Sequence, residues 1–171
     1  MTVLHRRLAL AVFALLVGAP GVARAQQTLI FVRHAERADA GAPSGMSTAP
    51  ADPLLSALGQ ARAERLAMML RDSGIKAIYA TEFHRTQDTA APLASKLHLT
   101  VQTVPASDTA ALVAKIKGDH ARDVVLVVGH SNTLPDAIKA FGGPPVTIGD
   151  QEYDAIFVLN PASGTLTLIR Y

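Results

Sequence analysis

Two short apolar runs, each ending flush against a histidine, constrain this chain more than any other feature. Leu29-Ile30-Phe31-Val32 leads into Arg33-His34-Ala35-Glu36, and Val124-Val125-Leu126-Val127-Val128 leads into Gly129-His130-Ser131-Asn132-Thr133. Uninterrupted runs of this length, rich in β-branched residues, read as strands buried on both faces, the habit of parallel sheets. Parallel strands need crossover connections, usually helical, so the chain is expected to be α/β. Ligands in open α/β sheets bind beyond the carboxyl ends of the strands. Both histidines fall there, one with an arginine attached.

Strand and helix signals alternate from residue 26 onward, as in a layered α/β domain. A first strand is expected over 28–33, then a Gly/Pro/Ser/Ala-rich loop over 39–53. Ser56 reads as the N-cap of a helix running to about residue 72 and closed by Gly74. Leu55, Leu58, Leu66, Met69 and Leu70 lie within one arc of it and are expected to face the sheet. A strand over 76–80 precedes a helix marked by Phe83, Thr86, Ala90, Leu93, Ala94 and Leu97. A short strand over 100–103 and a helix over 109–117, with Leu112, Val113 and Ile116 inward, lead to the strand at 124–128. The helix over 133–141 stops at Gly142-Gly143-Pro144-Pro145, and strands at 155–159 and 165–171 close the domain. No repeat or linker divides residues 26–171, which are read as a single domain.

Residues 1–25 are read apart from it. His5-Arg6-Arg7 is a basic start, 8–17 an apolar stretch, and Ala23-Arg24-Ala25 an A-x-A cleavage site. That layout is a secretory signal peptide. The apolar stretch falls short of the ~20 residues a spanning helix needs. No stable membrane anchor is therefore expected after cleavage, and the mature protein is expected in the periplasm or secreted. The residues around Arg6-Arg7 fit twin-arginine export poorly. Three of the sixteen basic residues and none of the fourteen acids lie in the leader, so the domain keeps thirteen of one and fourteen of the other. A nearly neutral domain gives no reason to expect a nucleic-acid partner. The absence of cysteine excludes disulfides, thiolate metal sites and a thiol nucleophile.

Arg33-His34 is the unit richest in chemistry. A neutral imidazole can attack phosphorus and form a phosphoramidate, splitting one difficult transfer into two easier steps. Cations must then neutralise the equatorial oxygens, and arginine suits that task with its planar fork and permanent charge. A second arginine, Arg85, lies in Ala80-Thr81-Glu82-Phe83-His84-Arg85-Thr86-Gln87-Asp88-Thr89-Ala90, which begins at a strand end and continues into a helix. A helix N-terminus adds free N–H groups that attract anions.

Three motifs in order, Arg33-His34-Ala35-Glu36, Thr81-x-x-x-Arg85-Thr86-x-x-Thr89-Ala90 and Gly129-His130-Ser131-Asn132-Thr133, are joined by Leu55-Ser56-x-x-Gly59 with Ala63. On these residues the chain resembles the histidine phosphatase superfamily, the phosphoglycerate-mutase-like fold, in its small branch. The resemblance covers essentially all of 26–171. It implies an α/β three-layer sandwich, with a mostly parallel central sheet flanked by helices. It implies His34 as the phosphorylated nucleophile, and Arg33, Arg85 and His130 as the rest of the phosphate pocket. Ser131 and the backbone N–H groups after His130 would help. The resemblance implies no cofactor and no metal; its partner would be a small phosphorylated substrate or a phosphoprotein. Many members carry glycine where this chain has Ala35. Larger members supply the leaving-group proton from a carboxylate after the second arginine motif. Asp108 is the acid in the comparable stretch here, with Glu36 a weaker candidate.

The remaining residues are read more plainly. His84 is expected to be a solvated neighbour of the site, and His98 and His120 to be exposed. Arg62, inside the apolar arc of its helix, is expected to snorkel. The loop 39–53 and the segment 142–153 are each read in two ways, as an overhang that selects substrate or as a plain surface loop. Glu152 and Asp154 have no assigned role.

The leading expectation is an exported phosphomonoesterase, hydrolysing a phosphate ester or phosphoramidate through a phosphohistidine on His34. A metal set built on His34, Glu36 and His130 is disfavoured because two arginines beside it would repel a cation. A phosphomutase with the same chemistry and a non-catalytic phosphate-binding module are the alternatives. A serine-hydrolase elbow at 129–133 is disfavoured, since Thr133 replaces the closing glycine and no histidine follows Ser131.

Overall fold

The computed structural model describes residues 27–39 and 52–171. The expected leader and most of the 39–53 loop lie outside the described residues. In chain order the elements are β1 (Thr28–Arg33), α1 (Ala57–Leu70), β2 (Ile75–Ala80), α2 (His84–Leu97), β3 (Val101–Thr103), α3 (Thr109–Asp119), β4 (Val124–Gly129), α4 (Leu134–Ala140), β5 (Ala155–Asn160) and β6 (Thr165–Arg170). The strands form one sheet in the order β3-β2-β4-β1-β5-β6. β1 to β4 run parallel, while β5 is antiparallel to β1 and β6 antiparallel to β5. No helix among the described residues is long and apolar enough to cross a membrane.

Alternation along the central strands accounts for the three layers. Leu29, Phe31, Val125 and Val127 enter one core with Ile116 of α3 and Leu134, Ala137 and Ile138 of α4. Ile30, Val32, Leu126 and Val128 enter the other with Leu66 and Leu70 of α1 and Leu93 of α2. Successive side chains of a strand point to opposite faces, so a strand apolar at every position must be covered on both. Each fully buried side chain of this size contributes about 1.5–3 kcal/mol.

After β1 the chain passes to α1 on one face, and after β4 to α4 on the other. At this boundary the chain leaves the sheet in opposite directions and opens a crevice beyond the strand ends. Arg33 and Gly129 stand there in register. Gly129 permits the close return of α4, because a Cβ on it would sit 2.7 Å from the Leu134 side chain.

α1 starts where expected, with Ser56 Oγ accepting the Gly59 N–H at 3.0 Å. Its buried face is turned, however. Gly59, Ala63, Leu66, Ala67 and Leu70 are buried, whereas Leu58 and Met69 are 62% and 46% exposed. Gly59 is seated so closely on the backbone of residue 36 that a Cβ would collide with the Glu36 carbonyl oxygen. The smallest residues therefore face inward over the first turns, and Leu58 is carried outward. His120 is also half-buried rather than exposed. The turn between α3 and β4 brings its ring against Tyr79, and its Nδ1 pairs with Asp123 at 2.9 Å.

Candidate active site

Register brings the two histidines together. The His34 N–H donates to Gly129 O at 2.9 Å, extending the β1–β4 ladder by one step. The ring centroids of His34 and His130 then lie 5.3 Å apart at 63°. β2 pairs with β4 through Ala80 and Val128, so Thr81 arrives beside His130, its Oγ1 2.9 Å from Nε2. The segment after His34 is caught by α2. The Ala35 N–H donates to Thr89 Oγ1 at 2.9 Å, while the Thr89 hydroxyl donates to Arg85 O at 2.7 Å.

These contacts fix protons. His34 Nδ1 lies 2.8 Å from the Ala35 carbonyl oxygen, which can only accept, so Nδ1 carries the hydrogen and Nε2 keeps its lone pair. The Thr86 hydroxyl donates to Phe83 O at 2.8 Å, and Thr81 Oγ1 stands 2.8 Å from Thr86 Oγ1. Each contact has its own proton when Thr81 donates to Thr86 and His130 Nε2–H donates to Thr81. Both rings are uncharged near neutrality. Burial, aided by His130, Arg33 and Arg85 and opposed by the Ala35 hydrogen bond, lowers the His34 pKa from 6.5 to about 3. Burial, with Arg85 and Arg33 adding to it, lowers His130 to about 4.

Arg33 shares a face with Leu29 and Phe31, the side on which α4 and the chain after it lie. Its Nη1 donates to the carbonyls of Gly149 and Asp150 at 2.9 and 2.8 Å. Its guanidinium carbon sits 4.1 Å above the Tyr153 ring. Glu152 and Asp154 now have a role, since both pair with Arg170 at 2.7 Å and Glu152 Oε2 accepts the Gly149 N–H. They secure the loop that holds Arg33.

Arg85 stacks on the Phe83 ring at 4.2 Å, and Phe83 meets His130 edge-on at 5.4 Å. Burial lowers the Arg85 pKa, with Asp52 opposing. Arg33 Nε and Arg85 Nε are buried without a hydrogen-bond partner among the described residues. Two guanidinium groups, each with a buried unpartnered Nε–H, thus lie near two uncharged imidazoles, a set suited to a tetrahedral oxyanion. Ser131 follows His130 and is half-buried.

Asp108 caps α3, its Oδ1 accepting the Ala111 N–H at 2.8 Å, and it lines a cavity with Thr81 and Gly129. One sequence expectation gives way here. Arg62 does not snorkel. Its Nε and Nη2 reach Glu36 Oε1 at 2.8 and 2.7 Å, since a carboxylate only 8% exposed requires a partner. Glu36 is therefore committed to Arg62, and no group of three or more His, Asp or Glu side chains among the described residues converges as metal ligands. His84 is exposed, as expected. Tyr153 and Asp52 reach the site without belonging to any of the sequence motifs. Nothing local marks Tyr153, whereas Asp52 stands out as the sole charge between Asp39 and Arg62.

The family model described as histidine phosphatase superfamily (branch 1) matches residues 29–108, which include Arg33, His34 and Arg85. The match spans just under half of the chain, and over that stretch the chain is similar to this superfamily. Among solved structures it is similar to the alpha-ribazole phosphatase from Shigella flexneri, with 17% identity and a TM-score of 0.63 over 84% of this chain and 95% of that one. A mycobacterial glucosyl-3-phosphoglycerate phosphatase aligns with 16% identity and a TM-score of 0.62, over 84% and 97%. Phosphoserine phosphatase from Entamoeba histolytica aligns with 15% identity and a TM-score of 0.60, over 83% and 94%. At such identities the likeness is one of fold. No curated protein sequence matches the chain. His130 lies beyond the family-model match, and its place beside His34 comes from the β1–β4 register.

Proposed function

We infer that this chain is a histidine phosphatase superfamily member, an exported, metal-independent phosphomonoesterase that works through a covalent phosphohistidine on His34. The observation that carries this reading is the state of His34: buried, uncharged, with Nδ1–H held by its own chain and Nε2 unprotonated between Arg33, Arg85 and His130. Such a nitrogen needs no separate base.

In this mechanism His34 Nε2 attacks phosphorus, the P–O or P–N bond to the leaving group breaks, and the leaving atom takes up a proton from solvent, which the attacking water returns in the second step. Water then attacks the phosphohistidine, releasing inorganic phosphate and the neutral imidazole. Arg33 and Arg85 hold the equatorial oxygens where charge builds up, with His130 beside them and Ser131 adding a hydroxyl. The structural neighbours are named for small organic phosphates, which supports a substrate of that class: a phosphate ester, or a phosphoramidate. The leader at 1–25 supports action in the periplasm or outside the cell.

Incubation with a radiolabelled phosphodonor and rapid quenching is the direct test. The expected label survives alkali, is lost in acid, and is absent from His34→Ala. Turnover of an aryl phosphate with no such label on His34 would remove the covalent mechanism, and absence of turnover would remove the phosphatase.

A further inference from the structure

Asp52 lies against the second arginine of the site. Its Oδ1 stands 3.3 Å from Arg85 Nη1, and its Oδ2 accepts the His84 N–H at 2.9 Å. The Arg85 side chain is 12% exposed and that of Asp52 29%. Asp52 is also tied to the strand end that carries His34. The Ala38 N–H donates to Leu54 O and the Ser56 N–H to Glu36 O, each at 2.9 Å, while Arg37 bridges Leu55. The residues just after His34 therefore deliver Asp52 to the start of α2, coupling two walls of the site.

Arg33 offers a comparison within the same molecule. Both guanidinium groups are gripped at Nη1 by acceptors, both rest on an aromatic face, and both keep a buried Nε–H with no partner. Backbone carbonyls grip Arg33, whereas a carboxylate grips Arg85. A guanidinium fixed at one nitrogen and stacked on a ring has lost its rotational freedom before a ligand arrives. Its free edge then binds an oxyanion at less ordering cost.

We propose that Asp52 is a positioning residue for phosphoryl recognition: it holds the Arg85 fork in the orientation that receives the phosphoryl oxygens, and locks that fork to the His34 strand end. It acts through Arg85 and does not contact the phosphoryl group. The proposal rests on the phosphatase reading above.

The test uses the full chain with Asp52→Ala and Asp52→Asn, each checked for native circular dichroism. Turnover is measured on p-nitrophenyl phosphate and on an alkyl phosphate, and inorganic phosphate binding by calorimetry. Asp52→Ala is expected to lower kcat/KM roughly 10- to 100-fold on both substrates alike, the scale of a misplaced binding group, and to weaken phosphate binding. Asp52→Asn keeps one acceptor oxygen for two donors, the His84 N–H and Arg85 Nη1, and is expected to fall between wild type and Asp52→Ala. That variant also decides the matter if Asp52→Ala does not fold: kinetics and phosphate binding equal to wild type in Asp52→Asn overturn the proposal. So does a loss that grows with leaving-group basicity, which makes Asp52 a proton donor. Tighter phosphate binding in Asp52→Ala, which makes the carboxylate a competitor for Arg85, overturns it too, as do unchanged kinetics. Phosphate binding that depends on Asp52, without turnover of either substrate, supports positioning and removes the phosphatase reading instead.

Discussion

Arg62 grips Glu36 through two nitrogens, two residues beyond His34. The pair fastens the segment that leaves the strand carrying His34 to the middle of α1, so the stability of the helix and the placement of the imidazole are linked.

Arg62→Ala leaves the buried Glu36 carboxylate without its partner. Removing one member of such a pair costs about 3–5 kcal/mol. Urea denaturation of Arg62→Ala is expected to show a loss of that order, and the double variant Arg62→Ala, Glu36→Gln to recover part of it. An Arg62→Ala protein as stable as wild type would mean the carboxylate is not stranded.

Gly59→Ala drives a methyl group into the Glu36 carbonyl oxygen, closer than van der Waals contact allows. Backbone cannot yield there as a flexible side chain would, so overpacking should cost about 1–3 kcal/mol. The segment 34–36 must also shift. Thermal melting and kcat on an aryl phosphate should fall together, and a drop in stability alone would show that the displacement stops short of His34.

Tyr153 supports Arg33 mainly with its ring, since the hydroxyl contact to Nη2 is long at 3.4 Å. Tyr153→Phe is expected to keep most of kcat/KM. Tyr153→Ala removes a cation–π contact of about 0.5–2 kcal/mol and should raise KM or lower kcat accordingly. Equal losses in the two variants would assign the effect to the hydroxyl.

Acid should destabilise the fold through the two histidines. Their folded pKa values, about 3 and about 4, lie below the unfolded value near 6.5, so the unfolded state binds protons first as pH falls. This contribution is absent from the pH dependence above about pH 6.5. Below it, stability declines by about 1.4 kcal/mol per pH unit for each ring, until the folded rings titrate near 4 and 3. Denaturation at pH 7 and pH 5 should therefore show a larger loss for wild type than for the His34→Ala, His130→Ala double variant. Equal losses would place the rings in a more solvated setting.

Local pattern made much of this molecule legible. β1 and β4 were visible as apolar runs, Ser56 as a cap, and His34, Arg33, Arg85 and His130 as motif residues at strand ends and a helix start. The structure brings those four side chains together. What stayed hidden depends on contacts between distant segments. Helical spacing made Leu58 and Met69 look inward, but the seat of Gly59 on residue 36 turned the helix. Arg62 looked like a long side chain on an apolar face because its partner lies 26 positions earlier. Tyr153, in a Gly/Pro-rich stretch, carries no signal until the chain folds it under Arg33. The unassigned acids Glu152 and Asp154 acquire meaning only through Arg170.

That last contact gives the molecule an order of events. Arg170 sits in β6, after every other element, yet it fastens the loop whose carbonyls grasp Arg33. A chain emerging from its N-terminal end would present His34 first and this fastening last. An emerging polypeptide would carry an imidazole beside an unsteadied arginine, with full competence delayed until the final hairpin has formed.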